Sequence, residues 1–227
     1  KIGAGCRIGA YTMIGPGVRL GAGSWVGSFC HLGYPAMDAK LRALAIGPKA
    51  NIRSHTVLYL GSTIGAGLTT GHHATIREKS SIGARFQLGS YGDVQGELVI
   101  GDDVRTQSHV YICQFSEIED FVWLFPGVLL ANDPHPPSDG CTRGPRLKRF
   151  CAIGMGAVVA DHVIVGEGAV VGAAALVRAD VPAGEVHAGV PAKRIGLAKD
   201  VRCRHGALKQ VYPWRSHFKR GYPALPE

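Results

Sequence analysis

The chain has 227 residues, 46% hydrophobic but only 7% aromatic, with 32 glycines and a formal net charge of +8. That length supports one large domain with appendages. No run of about 20 apolar residues is present, which argues against a membrane-spanning helix, and no signal peptide is visible. The basic balance, with a sequence pI near 9.3, suits either a solvated surface or affinity for phosphates. Without a concentrated basic helix or an aromatic RNA-binding motif, nucleic acid is not an expected partner.

In chain order, an aliphatic residue first recurs every sixth position at Ile2, Ile8, Ile14, Leu20, Val26 and Leu32, each followed by Gly. Gly33 to Ala45 breaks the register, because Ile46 follows Leu32 by fourteen residues rather than twelve. This stretch reads as a loop leaving a corner. A central run continues from Ile46 to Leu130, with only Thr70 and Thr106 replacing the aliphatic residue. A small or apolar residue sits four places after it, as at Ala50, Thr56, Ser62, Ala74 and Val104. Ala131 to Phe150 has no such pattern and is rich in Pro, Gly and charge, as functional or disordered loops are. The period resumes at Ile153, Val159, Val165, Val171 and Val177 and closes in Val181 to Arg194, VPAGEVHAGVPAKR. The remainder, with Trp214, His217, Phe218, Lys219 and Arg220, has the composition of a terminal cap or a subunit contact. The chain opens at Lys1 in mid-repeat with no Met, so an upstream segment is expected.

A period of six fits neither a helix nor a strand alone; it fits a short strand plus a corner, the signature of a parallel β-helix. Three hexads close one coil of about 18 residues, and coils stack at roughly 4.8 Å. The aliphatic residue fills the interior, and Gly supplies backbone conformations that other residues avoid. Each coil buries its core only against its neighbours, so an open end needs a cap. A β-sandwich would instead show turn signals at irregular spacing of about 8–12 residues. Six cysteines (Cys6, Cys30, Cys113, Cys141, Cys151 and Cys203) form no CxxC pair. Three fall within the repeats as small buried thiols, and together they point to a reducing, cytoplasmic compartment.

With the hexads and the GVPAKR ending, the chain resembles the left-handed β-helix hexapeptide acyltransferases over roughly residues 2–196. The resemblance implies an all-β fold: a left-handed parallel β-helix of about nine coils, with loops 33–45 and 131–150 inserted and an extension over 197–227. The left hand comes from the resemblance and runs against the usual right-handed crossover rule. Also implied are a homotrimer with sites between subunits and an acetyl-CoA or other acyl-CoA donor lying along the prism axis; no metal is expected. Ile100 to Val110 and Pro126 to Asp133 look like the nucleotide-linked amino-sugar N-acetyltransferases. Pro126 to Pro136 also looks like the maltose and galactoside O-acetyltransferases, whose catalytic His matches His135. Gly33 to Arg53 is similar to the UDP-N-acetylglucosamine O-acyltransferases of lipid A synthesis, but their His-x-x-His segment is not found. Ile153 to Ala157 resembles γ-type carbonic anhydrase, but the His-x-x-x-x-His pair that would help bind zinc is absent. A solenoid scaffold without catalysis is the non-enzyme alternative.

Acyl transfer from a thioester needs a base for the acceptor and a donor for the developing oxyanion. His135, held between two prolines, is the first candidate base, and His109 the second. Asn132 and Asp133 can hydrogen-bond the acceptor, Asp133 holding an ammonium or else forming an Asx turn before Pro134. His72, His73, Arg77 and Arg143 are candidate substrate contacts, Arg143 belonging to a basic run with Arg146, Lys148 and Arg149. Gly154, Gly172, Ala173 and Ala174 would let pantetheine approach backbone amides, or are simply hexad turns. Lys193 and Arg194 would meet CoA phosphates as point charge and fork. The expected reaction is N-acylation of an amino sugar, nucleotide-linked by the resemblance, with O-acetylation of a sugar hydroxyl as the alternative.

Overall fold

The computed structural model describes residues 1–38, 40–138 and 140–214. Short parallel strands, mostly of two or three residues, build three sheets of eleven, nine and eight strands. Each strand before the last pairs in parallel with one a full coil away, as Thr75↔Asp93 and Asp93↔Tyr111 show in the nine-strand sheet. The three sheets are the faces of a solenoid of about ten turns.

The six-residue period is written into the interior. Ile52, Leu58, Ile76, Val94, Ile112 and Leu124 are fully buried, and so are the small or apolar residues four places later, such as Thr56, Ala74, Val104 and Val122. Thr70 and Thr106 take aliphatic positions without leaving buried hydroxyls unmade: Thr70 Oγ1 accepts from Arg53 N (2.9 Å) and Thr106 Oγ1 from Gly89 N (3.2 Å). That satisfaction is what a buried polar group requires.

The glycines that follow the aliphatic residue have a different cause from the one expected. Apart from Gly33 (φ 84), they do not sit at left-handed φ. A methyl on Gly47 or Gly65 would lie 2.6 Å from the backbone of the next coil, so close stacking excludes a side chain there. The left-handed corners are held mainly by other residues, among them His55 (φ 62), His73 (φ 55), Tyr91 (φ 55), Asp103 (φ 56) and His109 (φ 59).

Both insertions leave the same corner, where the nine-strand sheet passes to the eight-strand sheet. The first lies between strands His31–Tyr34 and Leu44–Ile46. Leu20 pairs with Ile46, so a single hexad is lengthened here; two hexads plus two residues is not the arrangement. The second lies between Leu129–Leu130 and Arg146–Leu147. The repeat resumes earlier than its hexad signal, because Leu147, fully buried, is the lone aliphatic residue in a cationic run. At the C-terminal end, Glu185–Ala188 continues the eleven-strand sheet, and Lys193–Leu197 folds back antiparallel on it. Trp214 returns to pack on Phe121 and Phe150, its Nε1 donating to Phe150 O (3.3 Å). His217, Phe218, Lys219 and Arg220 lie outside the described residues.

Candidate active site

The candidate histidines lie on opposite edges of the nine-strand sheet. His72, His73 and His109 stand at the corner where the eleven-strand sheet turns into it. Asn132, Asp133, His135 and Arg143 belong to the loop that leaves its other edge. Within one chain the two groups are therefore kept apart by the width of a face.

At the first corner the rings form a column. Tyr11, Phe29, His55, His73, Tyr91 and His109 stack in successive coils, with ring centroids 4.5–5.1 Å apart. In the last two steps the rings are nearly parallel, at 1° and 2°. His72 faces away from this column, and its Nδ1 meets Ser54 Oγ at 2.7 Å. The residues at this corner in the following coils are Gly127, Gly156 and Ala174, all at left-handed φ.

In the loop, the Asp133 carboxylate is engaged locally. Its Oδ1 accepts from His135 N (3.0 Å) and Ser138 Oγ (2.7 Å), and its Oδ2 from Ser138 N (2.9 Å). The Ser138 hydroxyl, foremost among these, holds the carboxyl below the usual range. Asp133 is thus a loop staple, the Asx-type role that its place before Pro134 allowed. It presents the exposed His135 ring to solvent. Arg143 N donates to Asn132 O (2.8 Å) and closes the loop base.

The expected basic cover is largely dissolved into ion pairs. Arg146 bonds Glu117 (2.8 Å), Lys148 bonds Glu119 (2.7 Å) and Arg149 lies 3.8 Å from Asp120. Only Arg143 of that run stays in the loop. Arg77 is similarly occupied, by Glu78 and by Gln95 Oε1 (3.3 Å), with its guanidinium over the Tyr59 ring. Gln95 in turn donates to Asp93 Oδ2 (2.8 Å), while Asp93 Oδ1 is buried without a partner. Burial pushes the Asp93 carboxyl up. The signal by which Asp93 could have been found is its polar character on a strand.

Gly154 and Gly172 end strands of the eleven-strand sheet, while Ala173 and Ala174 form the adjoining corner. Both glycines are demanded by stacking: an added methyl would meet Ala173 N at 2.6 Å and Ala188 Cβ at 2.7 Å. Lys193 and Arg194 begin the closing strand. Arg194 is paired with Glu185 (2.8 Å), which also bonds His187 (2.9 Å). Lys193 stands exposed beside it. A cavity of about 350 Å³ lies further along, between Gly168, Gly184, Leu197, Ala198 and Pro213, away from every candidate histidine. Among the described residues no three His, Cys, Asp or Glu side chains form a metal-holding group.

No protein-family model matches the chain. Over 76 residues it is 43% identical to the 2,3,4,5-tetrahydropyridine-2,6-dicarboxylate N-acetyltransferase of Staphylococcus aureus, a match covering 34% of this chain and 30% of that enzyme. Over that stretch the chain is similar to an acetyltransferase, and its six-residue period is that of hexapeptide-repeat proteins. The matched stretch is under a third of its curated relative's length. Solved structures similar to this hexapeptide-repeat chain include a truncated serine acetyltransferase apoenzyme, at 28% identity and a TM-score of 0.43, covering 46% of this chain and 43% of that one. Another is the serine acetyltransferase of Brucella abortus with coenzyme A, at 28% identity and a TM-score of 0.40, covering 44% and 40%. No helix among the described residues is long and apolar enough to cross a membrane.

Proposed function

We propose that this protein transfers an acyl group, acetyl in the first instance, from coenzyme A to a small-molecule acceptor. The observation that carries the reading is the 43% identity with a named N-acetyltransferase, in a chain whose repeats run nearly its whole described length. The acceptor nucleophile attacks the thioester carbonyl; the new bond to the acyl carbon forms as the C–S bond breaks. A histidine takes the acceptor's proton, which can then pass to the departing thiolate. His135 is the first choice for that base because its ring is exposed on a loop that Asp133 and the flanking prolines hold in shape. His109 is the second. Asn132, at the root of the same loop, is the acceptor contact. The donor would run along the first corner past Ala173 and Ala174 toward the closing strand, where Lys193 meets phosphate; Arg194, already paired, contributes less.

We place the site between chains of a homotrimer. The separation of His109 from His135 by one face supports this, since a neighbouring prism would bring the two edges together. Leu129 and Met155, 45% and 58% exposed beside the first corner, are apolar surface for that contact.

For the acceptor, the amine of a nucleotide-linked amino sugar remains the preferred reading, supported by the Ile100 to Val110 and Pro126 to Asp133 segments. The related enzymes are named for a tetrahydropyridine dicarboxylate and for serine, so amino acids belong in the same test. Thiol release from acetyl-CoA is followed with nucleotide-linked and free amino sugars, hydroxy sugars and amino acids. Transfer to an amine is expected, with His135→Ala lowering kcat by about 10²–10⁴. Transfer only to hydroxyls removes the N-acyl reading, and undiminished turnover by His135→Ala removes its base.

A further inference from the structure

From residue 127 to residue 184 the left-handed backbone positions hold Gly or Ala, except at Phe150 (φ 61) and His162 (φ 61). Packing accounts for Phe150, which stacks on Phe121 at 5.0 Å and meets Trp214 edge-on. It does not account for His162. Among the described residues the partner of that imidazole is the Asp161 carboxylate, with Nδ1 3.0 Å from Oδ2. A bulky residue kept in a sparsely populated backbone region without a packing return points to function.

His162 stands where the nine-strand sheet turns into the eight-strand sheet, between strands Val158–Val159 and Ile164–Val165. The second loop leaves this same corner one coil earlier, since Leu130 pairs with Val159. The two are bonded: His162 N donates to Arg143 O (3.2 Å), and Arg143 N donates to Asn132 O (2.8 Å). His162 is therefore fixed to the neck of the loop that presents His135. A carboxylate only accepts, so Asp161 makes Nδ1 the protonated nitrogen and leaves the Nε2 lone pair open. The His162 side chain is 47% exposed and that of Asp161 20%. His135 has no such orienting bond to its ring; Asp133 takes its backbone N–H instead. A base held by a third group is the arrangement of an activated proton acceptor. The other charged groups placed around His162 are Arg143 on the loop neck and Arg178 and Asp180 on the following coil, all exposed. Asp180 Oδ1 is engaged by Ile164 N (2.8 Å).

Acyl transfer to an amine has a proton balance that one base does not meet. An ammonium and an acyl-CoA give an amide, a free thiol and one proton. Two protons thus leave nitrogen; one ends on sulfur and the other in solvent. The proton bound for sulfur leaves as the C–N bond forms and the C–S bond breaks, and is the one assigned above to His135. The other must leave first, because an ammonium nitrogen has no lone pair with which to attack.

We propose that His162, held by Asp161, is a second catalytic base, which takes the first proton from the bound acceptor's ammonium at Nε2 and passes it to solvent. The assignment rests on the acyltransferase reading above and on an amine acceptor.

Rates would be measured on the full chain with acetyl-CoA and four acceptors. Glucosamine, UDP-glucosamine and serine are ammonium ions at about pH 6.5, whereas hydroxylamine is mostly uncharged there. His162→Gly suits the left-handed corner, as Gly156 and Gly168 do, and leaves room for added imidazole. Melting curves check the fold, and His162→Gln serves as a second variant. With ammonium acceptors, His162→Gly should lower kcat/KM by roughly hundredfold, and Asp161→Asn by about tenfold. The His162→Gly deficit should shrink by about tenfold per pH unit as the acceptor loses its proton unaided, and imidazole should restore part of the rate. With hydroxylamine the His162 variants should match the wild type within about twofold. His135→Ala should stay impaired at every pH and with every acceptor, because it removes the base for the proton that each must lose. The proposal is overturned if His162→Gly acylates the ammonium acceptors as fast as the wild type. It is also overturned if the deficit is the same at every pH and with hydroxylamine, as a purely structural role would give. A wild type that acylates none of the amines sinks the N-acyl reading, and this assignment with it; a wild type that acylates them while His162→Gly keeps pace sinks this assignment alone.

Discussion

Two classes of glycine in this solenoid should lose different amounts of stability on gaining one methyl. Gly65 has an ordinary φ, but its Cβ would lie 2.6 Å from Gly83 C and 2.7 Å from Ala84 N in the next coil. Ordinary contact needs about 3.4 Å or more, so the coils must part locally by roughly 0.8 Å. The flanking ladder bonds, Gly65 N to Ile82 O at 2.8 Å and Arg85 N to Ala66 O at 2.7 Å, would stretch to the limit of hydrogen bonding. Losing most of two such bonds removes about 1 kcal/mol each, and overpacking adds about 1–3 kcal/mol. Gly65→Ala should therefore destabilise by about 3–5 kcal/mol, lowering Tm by roughly 6–20 °C for a chain of this size. Gly168 is the contrast: its φ is +63 and nothing lies within 4 Å of an added Cβ. Gly168→Ala meets only the left-handed backbone penalty of about 1–2 kcal/mol. Parallel thermal melts by circular dichroism check both. A Gly168 variant that loses as much as the Gly65 variant would refute the claim that coil contact, rather than φ, selects these glycines.

Asp93→Asn should stabilise the chain at neutral pH, because Asp93 Oδ1 is buried without a partner and burial raises the carboxyl's pKa. A raised folded pKa favours the folded state at low pH, and that contribution is lost as pH rises through it; the difference in Tm between variant and wild type should therefore grow from acid toward neutral pH. Arg85→Met leaves the Asp103 carboxylate, whose side chain is 2% exposed, without its two bonds at 2.6 and 2.7 Å. Denaturant unfolding should show a loss of roughly 2–3 kcal/mol, below the usual range for a fully buried pair because the guanidinium is 39% exposed. Trp214→Ala removes a ring packed edge-on against Phe150 and Trp123. Limited proteolysis should then cut after residue 200 sooner than in the wild type, while the melt of the repeats moves little.

The solenoid was legible because its interior repeats the same demand in each coil. Aliphatic and small residues at fixed spacing suffice to mark positions such as Ile76 and Ala74, both fully buried. The site was harder to read because outward residues answer to neighbours a coil away, and that coil becomes adjacent only when insertion lengths are known. Arg146 and Lys148 looked like loop cations; a buried Leu147 between them puts both beside Glu117 and Glu119 of the preceding coil. His55, His73, Tyr91 and His109 share one column at the common spacing, but the insertion before Ile46 lengthens the step from Phe29 to His55 and hides their kinship with Tyr11 and Phe29. Asp133 has two readings, and the bonds it accepts from Ser138, five residues on, could not be read from its place before Pro134.

A stacked-coil fold separates stability from chemistry by geometry. Any substitution on the inner columns is felt by the coils above and below, so those columns are chemically uniform. The outer columns are under no such constraint, yet each is a ladder of equivalent backbone positions at one strand spacing. A change of residue type along a ladder is therefore informative: the corner from Tyr11 to His109 carries rings at every rung, and the same backbone then carries glycine twice. Close coil contact forces glycine at Gly65 but not at Gly127 or Gly156, where a side chain would meet open space. Coil contact gives no reason for the column to end where it does.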